Sequence, residues 1–191
     1  MSGGEALQRL RRLLLEQGGV IGGLIEVRPG ASTGSVGPAR IGDPAQIKDP
    51  AQIGDPAQRA CRGPRASAHP AEYELLVEAI YEGYLLHYGV PRLLRPVEPD
   101  LALLAGDQLY ALGLARLVRL GDIHAVAQLA DVISLCALAH GSGEPELAYA
   151  VWDAGARAVG WGGTGRHERA KRLARVRAPS ALAAMREAAE L

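Results

Sequence analysis

The residue types that could do chemistry are scattered. The eight aspartates are Asp43, Asp49, Asp55, Asp100, Asp107, Asp122, Asp131 and Asp153, and no two are adjacent. A diphosphate held through Mg²⁺ needs several carboxylates converging on hard cations, which this spacing does not advertise. Cys61 and Cys136 have no CxxC partners, and the five histidines show no HxxxH spacing. Neither a zinc site nor a disulfide framework is expected from them. There is no GxGxxG after a strand, no Walker loop and no GxSxG elbow. No catalytic residue, metal or cofactor is assigned on these grounds.

Four residues remain as binding candidates: His87, Arg92, Arg95 and Asp107. Asp107 stands among Leu103, Leu104, Ala105, Leu109 and Ala111. An unpaired carboxylate in an apolar helix is costly. It is therefore expected to be buried and paired, or to line a polar cavity. His87 lies near the end of a tyrosine-rich helical stretch, where a half-buried hydrogen-bonding role is the plainer reading. Arg92 and Arg95 flank Pro91 and Pro96 in a loop and could hold an anion, although loop arginines are usually solvated. Gly106 and Gly113 lie seven apart, on one side of a helix, and would let a neighbouring helix come close.

The elements that must position these residues are helices. Over 191 residues, 48% are hydrophobic and 22% charged, with 21 acids and 21 bases. That is enough for a core, and the charge balance argues against bare nucleic acid or an anionic membrane as partner. The bases are 19 Arg and 2 Lys, and Phe and Asn are absent. A GC-rich coding sequence explains this bias without phosphate recognition. No charged-then-apolar leader opens the chain. The most apolar window, Leu101 to Leu120, carries Asp107, Gln108, Arg116 and Arg119, which a membrane span rarely tolerates. A cytoplasmic protein is expected.

Four regions follow from composition. Residues 1–19 hold an amphipathic helix (5–17) stopped by Gly18-Gly19. Residues 20–69 contain six of the twelve prolines, no aromatic residue and no helical period. Within them run three hexads, IGDPAQ, IKDPAQ and IGDPAQ, from Ile41 to Gln58. One aliphatic residue per six suits a parallel β-helix, but three hexads are too few to stack a core. A flexible insertion in which each Asp-Pro starts a turn is expected instead.

Residues 70–161 are the expected helical core. Tyr73, Leu76, Val77, Ile80, Tyr84 and Tyr88 line one face of the first helix. Asp100 to Leu120, apolar almost all round, reads as the central helix. Asp122 should cap a helix to His140, and Pro145 should open the next. Gly160 to Gly165 reads as a flexible joint. Residues 162–191 should form basic and amphipathic helices, with the basic run 166–177 an exposed face. No strand alternation appears, so the fold class is all-α.

The stretch Leu101 to Asp122, LALLAGDQLYALGLARLVRLGD, resembles a helix of the trans-polyprenyl diphosphate synthases. Leu103 to Asp107 match its start, and Leu120-Gly121-Asp122 its end. Upstream, Leu85-Leu86-His87 looks like the "LLH" that precedes that family's DDxxD motif, but Tyr88-Gly89-Val90-Pro91-Arg92 follows here with no aspartate. A second aspartate-rich motif is also missing. The nearer likeness is to the small non-catalytic component of two-component bacterial heptaprenyl diphosphate synthases. Those proteins keep a "VLAGDYYSGLYY"-like helix and lack the metal-binding aspartates, and Gln108-Leu109-Tyr110 sits in the corresponding place. The resemblance covers roughly residues 72–140.

It implies a small helical bundle akin to part of the isoprenoid-synthase fold, carrying a Gly/Pro-rich irregular insertion. It implies an accessory subunit for quinone side-chain synthesis that partners a catalytic polyprenyl synthase or self-associates. Apolar-chain or interface contacts would then fall on Tyr84, Gly106, Tyr110 and Gly113. The alternatives are a helical interaction or scaffold protein without prenyl chemistry and, third, a divergent prenyltransferase.

Overall fold

The computed structural model describes residues 3–26, 54–94 and 98–190. Arg95 and the first two hexads of the repeat lie outside the described residues. Within them the chain is all-helical. The order is α1 (Gly3–Gln17), α2 (Gly19–Glu26), α3 (Pro56–Cys61), a 3₁₀ turn (Pro64–Ala66) and α4 (Pro70–Tyr88). Then come α5 (Pro99–Arg119), α6 (Ile123–Gly141), α7 (Pro145–Trp161), α8 (Gly165–Arg175) and α9 (Ala181–Ala189).

Local chemistry accounts for most boundaries. Proline occupies the start of α3, α4, α5 and α7, where its missing N–H costs nothing. Asp122 accepts from the Ala125 N–H at 3.0 Å and caps α6, and Thr164 accepts from the His167 N–H at 3.2 Å and caps α8. Gly121 turns the chain between α5 and α6 at φ +76°, a conformation that a side chain would strain.

Two expectations for residues 20–69 are corrected. Gly19–Glu26 is a helix, and Ile21, Leu24 and Ile25 are buried with Leu10 and Leu14 of α1. The third hexad does not start a mere turn: Asp55 accepts from the Gln58 N–H at 2.8 Å and caps α3, burying Ala57 and Ala60. Periodicity could not reveal either helix, because two or fewer turns carry too little pattern.

The central helix is α4, not α5 as the apolar composition of Asp100–Leu120 suggested. Every residue of α4 from Tyr73 to Leu86 is buried. On one flank it meets α6 and α7 through Trp152 and His140, in the larger apolar cluster that α8 and α9 complete around Met185. On the other, Leu75, Ala79 and Leu86 meet α1, α2 and the Ala102, Ala105 and Leu109 side of α5. Helix α5 is peripheral, with Leu104 65% and Val118 52% exposed. Its apolar residues run all round because it has a second apolar face, not because it is enclosed.

Glycines set the closest approaches. A Cβ on Gly63 would lie 2.2 Å from the backbone carbonyl carbon of Gly160. Gly160 is therefore no joint; it is a buried residue of α7 where the turn after α3 touches the helix backbone. Gly162 ends α7 at φ +95°. Gly63→Ala should destabilise the fold by about 3 kcal/mol, the upper range for overpacking, because backbone rather than a pliable side chain must move. Gly141→Ala, where a Cβ meets nothing within 4 Å, should leave the melting temperature unchanged or raised. Thermal denaturation of the two variants tests the pair.

Candidate functional site

The sequence candidates converge at the crossing of α4 and α5. Gly83 and Gly106 let the helices touch: a Cβ on Gly83 would lie 2.9 Å from the Gly106 carbonyl oxygen. The His87 ring occupies the space a side chain at 106 would take, with its Cδ2 2.4 Å from that built Cβ. Tyr110 stacks on the imidazole, with centroids 5.3 Å apart. His87 Nε2 lies 3.3 Å from Asp107 Oδ1. Gly113 repeats the close packing two turns further on, where a Cβ would strike Ile80 Cγ1 at 2.4 Å. Four candidates thus meet, His87, Gly106, Asp107 and Tyr110, while Gly113 packs apart from them on Ile80 and Leu76.

Asp107 is not buried. Its side chain is 69% exposed, which corrects the expectation of an enclosed carboxylate. The physical reason is the peripheral place of α5, whose polar residues can face water. Burial lowers the pKa of His87, and Asp107 opposes that shift through charge and hydrogen bonding.

Tyr84 is enclosed rather than surface-presented. Its hydroxyl lies 2.9 Å from His140 Nε2, and burial raises its pKa strongly. Tyr88 stacks on the His140 ring at 4.3 Å and 5°, and on its other side meets His87 at 5.7 Å. Rings from α4, α5 and α6 therefore run as a continuous column: Tyr110, His87, Tyr88, His140 and Tyr84. Both histidines in it are held below the ordinary imidazole range by burial. His140 was not among the sequence candidates, because nothing in a linear reading places the end of α6 beside α4.

Arg92 sits apart from this column and is already committed. Its Nη2 lies 2.8 Å from Glu78 Oε1 and its Nε 3.3 Å from Glu82 Oε2. The guanidinium carbon stands 4.9 Å from the Tyr81 ring centroid. The backbone N–H groups of Arg92 and Leu93 donate to Glu82 Oε1 at 2.8 and 2.7 Å. The arginine that could have held an external anion instead pairs with two internal carboxylates. Burial raises the Glu78 pKa to about 7, against the opposing charge of Arg92.

Glu74, Glu78 and Glu82 are the buried groups the sequence reading passed over. Glu74 accepts from Gln58 Nε2 at 2.6 Å. The available signal was their spacing of four along a helix whose other residues are largely apolar or aromatic.

A second polar cluster joins α6 and α8. Lys171 is buried between Asp131 Oδ2 at 2.7 Å and Glu168 Oε1 at 2.6 Å. Arg175 also reaches Asp131, at 2.5 Å. His167 is 3% exposed, and burial, aided by the Lys171 charge, lowers its pKa to about 4. The run 166–177 is thus not wholly an exposed face.

Chemically, these arrangements hold helices together. Burial pushes both thiols up, Cys136 most of all, which suppresses the thiolate form. Among the described residues, no three His, Cys, Asp or Glu side chains are grouped so as to hold a metal ion.

Two outcomes are expected. Removing Glu82 leaves the Arg92 Nε and the backbone N–H groups of Arg92, Leu93 and Leu94 without their acceptor, so Glu82→Ala should cost about 3 kcal/mol or more in denaturant unfolding. Asp107→Ala removes only a solvent-facing carboxylate from its pair with His87 and should cost less than about 1 kcal/mol. In the pH dependence, His167 in the folded chain is lowered to about 4 from 6.5. Between those values the unfolded chain binds more protons, so the contribution is full above 6.5 and is lost as pH falls through 4. Glu78 has the opposite sign: raised to about 7 from 4.5, it contributes below 4.5 and loses that as pH rises through 7. Melting temperatures across this range should fall less steeply toward acid in His167→Gln, and less steeply toward neutral pH in Glu78→Gln.

No family model matches this chain, and no curated protein or solved structure is similar to it.

Proposed function

We propose that this chain is a non-catalytic accessory subunit of a polyprenyl diphosphate synthase, with a bundle akin to part of the isoprenoid-synthase fold. The observation that carries the reading is the meeting of the two resembling motifs. His87, from Leu85-Leu86-His87, lies in the space above Gly106, and its Nε2 is 3.3 Å from Asp107 of the Ala105-Gly106-Asp107 stretch. Residues that look alike in sequence at separate places are thus neighbours at one helix crossing.

The absence of a diphosphate clamp in this reading rests on where the carboxylates go. Glu74 serves Gln58, while Glu78 and Glu82 serve Arg92 and the backbone beside it. Asp122 serves Tyr73, Arg65 and the α6 terminus. A metal clamp for a leaving diphosphate needs acids free to converge on cations. The subunit would act in the cytoplasm by contact with a catalytic partner. Tyr84, Tyr110, Gly106 and Gly113 would shape the crossing from within rather than touch a prenyl chain.

A second reading, a helical interaction protein without prenyl chemistry, is favoured by the exposure of Leu104 and Val118 on α5. Surface apolar residues on one helix suit a protein contact of any kind.

The test is a prenyl-transfer assay with isopentenyl diphosphate, an allylic diphosphate and Mg²⁺. The chain alone should give no product. Added to a DDxxD-bearing synthase from the same organism, it should raise turnover or change product length. Turnover by the chain alone would overturn the non-catalytic reading. No effect on any such synthase would leave the interaction protein as the better account.

A further inference from the structure

Helix α8 buries one face and turns a basic one outward. His167, Ala170, Lys171 and Ala174 are buried on the side packed against α6 and α9. On the opposite side Arg166, Arg169, Arg172 and Val176 follow at steps of three, three and four residues, and all four are exposed. Val176 is 74% exposed. Arg166 stands 3.9 Å from Glu187, and Arg175 reaches Asp131. Arg169, Arg172 and Arg177 make no ion pair or side-chain hydrogen bond among the described residues.

The backbone leaves α8 through Arg177, at φ +53°. The Arg177 N–H donates to the Ala174 carbonyl and the Ala178 N–H to the Leu173 carbonyl, both at 3.0 Å. Helices α5 and α6 close with the same pair of bonds. Gly121 and Asp122 donate to Val118 and Leu117, and Gly143 and Glu144 donate to His140 and Ala139. At those two ends the left-handed residue is glycine, which this closure favours. At α8 it is an arginine, the one non-glycine residue with positive φ among the described residues. A Cβ in that conformation crowds the following carbonyl oxygen. With 24 glycines, the chain is not short of the alternative. Stability of the turn does not select Arg177, and its exposed side chain gains nothing within the fold. Backbone strain of this kind points outward, to a partner.

We infer that Arg169, Arg172, Val176 and Arg177 form a docking surface for an acidic segment of another protein. Guanidinium forks pair with carboxylates bidentately, and Val176 places an apolar contact among them. The helix macrodipole favours bases near a C-terminus. It accounts for Arg172 in the last turn, but not for an arginine in the left-handed position. Single-stranded nucleic acid is held by aromatic rings along a cationic groove, and α8 contains no aromatic residue. A membrane surface takes helices whose outward face is broadly apolar, whereas α8 turns its apolar side inward. The inference goes beyond the accessory-subunit proposal and does not depend on prenyl chemistry.

The experiment is fluorescence anisotropy of the full chain with a short labelled peptide of glutamates around a leucine pair, with thermal denaturation of every variant. The wild type should bind, less tightly as salt rises. Arg169→Glu and Arg172→Glu should each weaken binding by roughly tenfold. Arg12→Glu, at an exposed arginine of α1, changes the net charge equally and should not weaken it. Arg177→Gly should raise the melting temperature by about 2 °C, because the turn is relieved, and should weaken binding as well. Arg177→Ala should weaken binding without that rise.

A wild type that does not bind the peptide would overturn the inference. So would equal loss of binding in Arg12→Glu, or an Arg177→Gly variant whose melting temperature is unchanged or lowered. Tighter, Arg169-dependent binding to polyuridine RNA or to phosphatidylserine vesicles than to the peptide would assign the face to phosphate groups instead.

Discussion

A helix enclosed on every side must find partners for each charge it carries, and α4 carries three carboxylates inside the protein. Glu74, Glu78 and Glu82 lie one turn apart and are all buried. Their requirements organise much of what surrounds them. Gln58 of α3 answers Glu74, so α3 is held by a hydrogen bond as well as by Ala57 and Ala60. Arg92 answers Glu78 and Glu82 together, and Glu82 gathers the N–H groups of Arg92, Leu93 and Leu94. The chain leaving α4 is thereby folded back onto it. Left unpaired in an apolar interior, such groups would protonate or expel the helix.

Enclosure also requires neighbours to come close, and here backbone replaces side chain. Gly83 and Gly106 bring α4 and α5 together, and Gly113 admits Ile80. Gly63 and Gly160 do the same between the turn after α3 and the end of α7. At each place a methyl group would meet an atom at 2.9 Å or less. The same tightness shapes the candidate site. His87 lies flat between Gly106 and Tyr110 because no side chain at 106 competes for the space. The column of rings from Tyr110 to Tyr84 follows from that placement and from the end of α6 reaching α4 at His140.

The functional consequences run through α5. It lies at the edge of the bundle, with Leu104 and Val118 exposed. Its inner face is occupied by packing against α4. Its outer face offers Leu104 and Val118 to whatever binds there. A helix placed this way transmits little chemistry of its own.

The amino-acid sequence by itself determined the all-α class and the long helices α1, α4, α5, α6 and α7. Those signals are local: heptad-like spacing of apolar residues, proline at helix starts, glycine at ends, and Asp122 as a cap. It also picked out His87, Gly106 and Asp107 as residues of interest, through composition and motif likeness. Only the tertiary structure decided which helix is central, because an all-apolar pattern describes a buried helix and a two-faced peripheral one equally well. It moved Asp107 from interior to surface and Gly160 from joint to contact, since both depend on what lies opposite in space. It found α2 and α3, whose few turns carry too little periodicity to read. And it revealed that Arg92 is spent on Glu78 and Glu82, a pairing set by the fold of a loop that no spacing along the chain encodes.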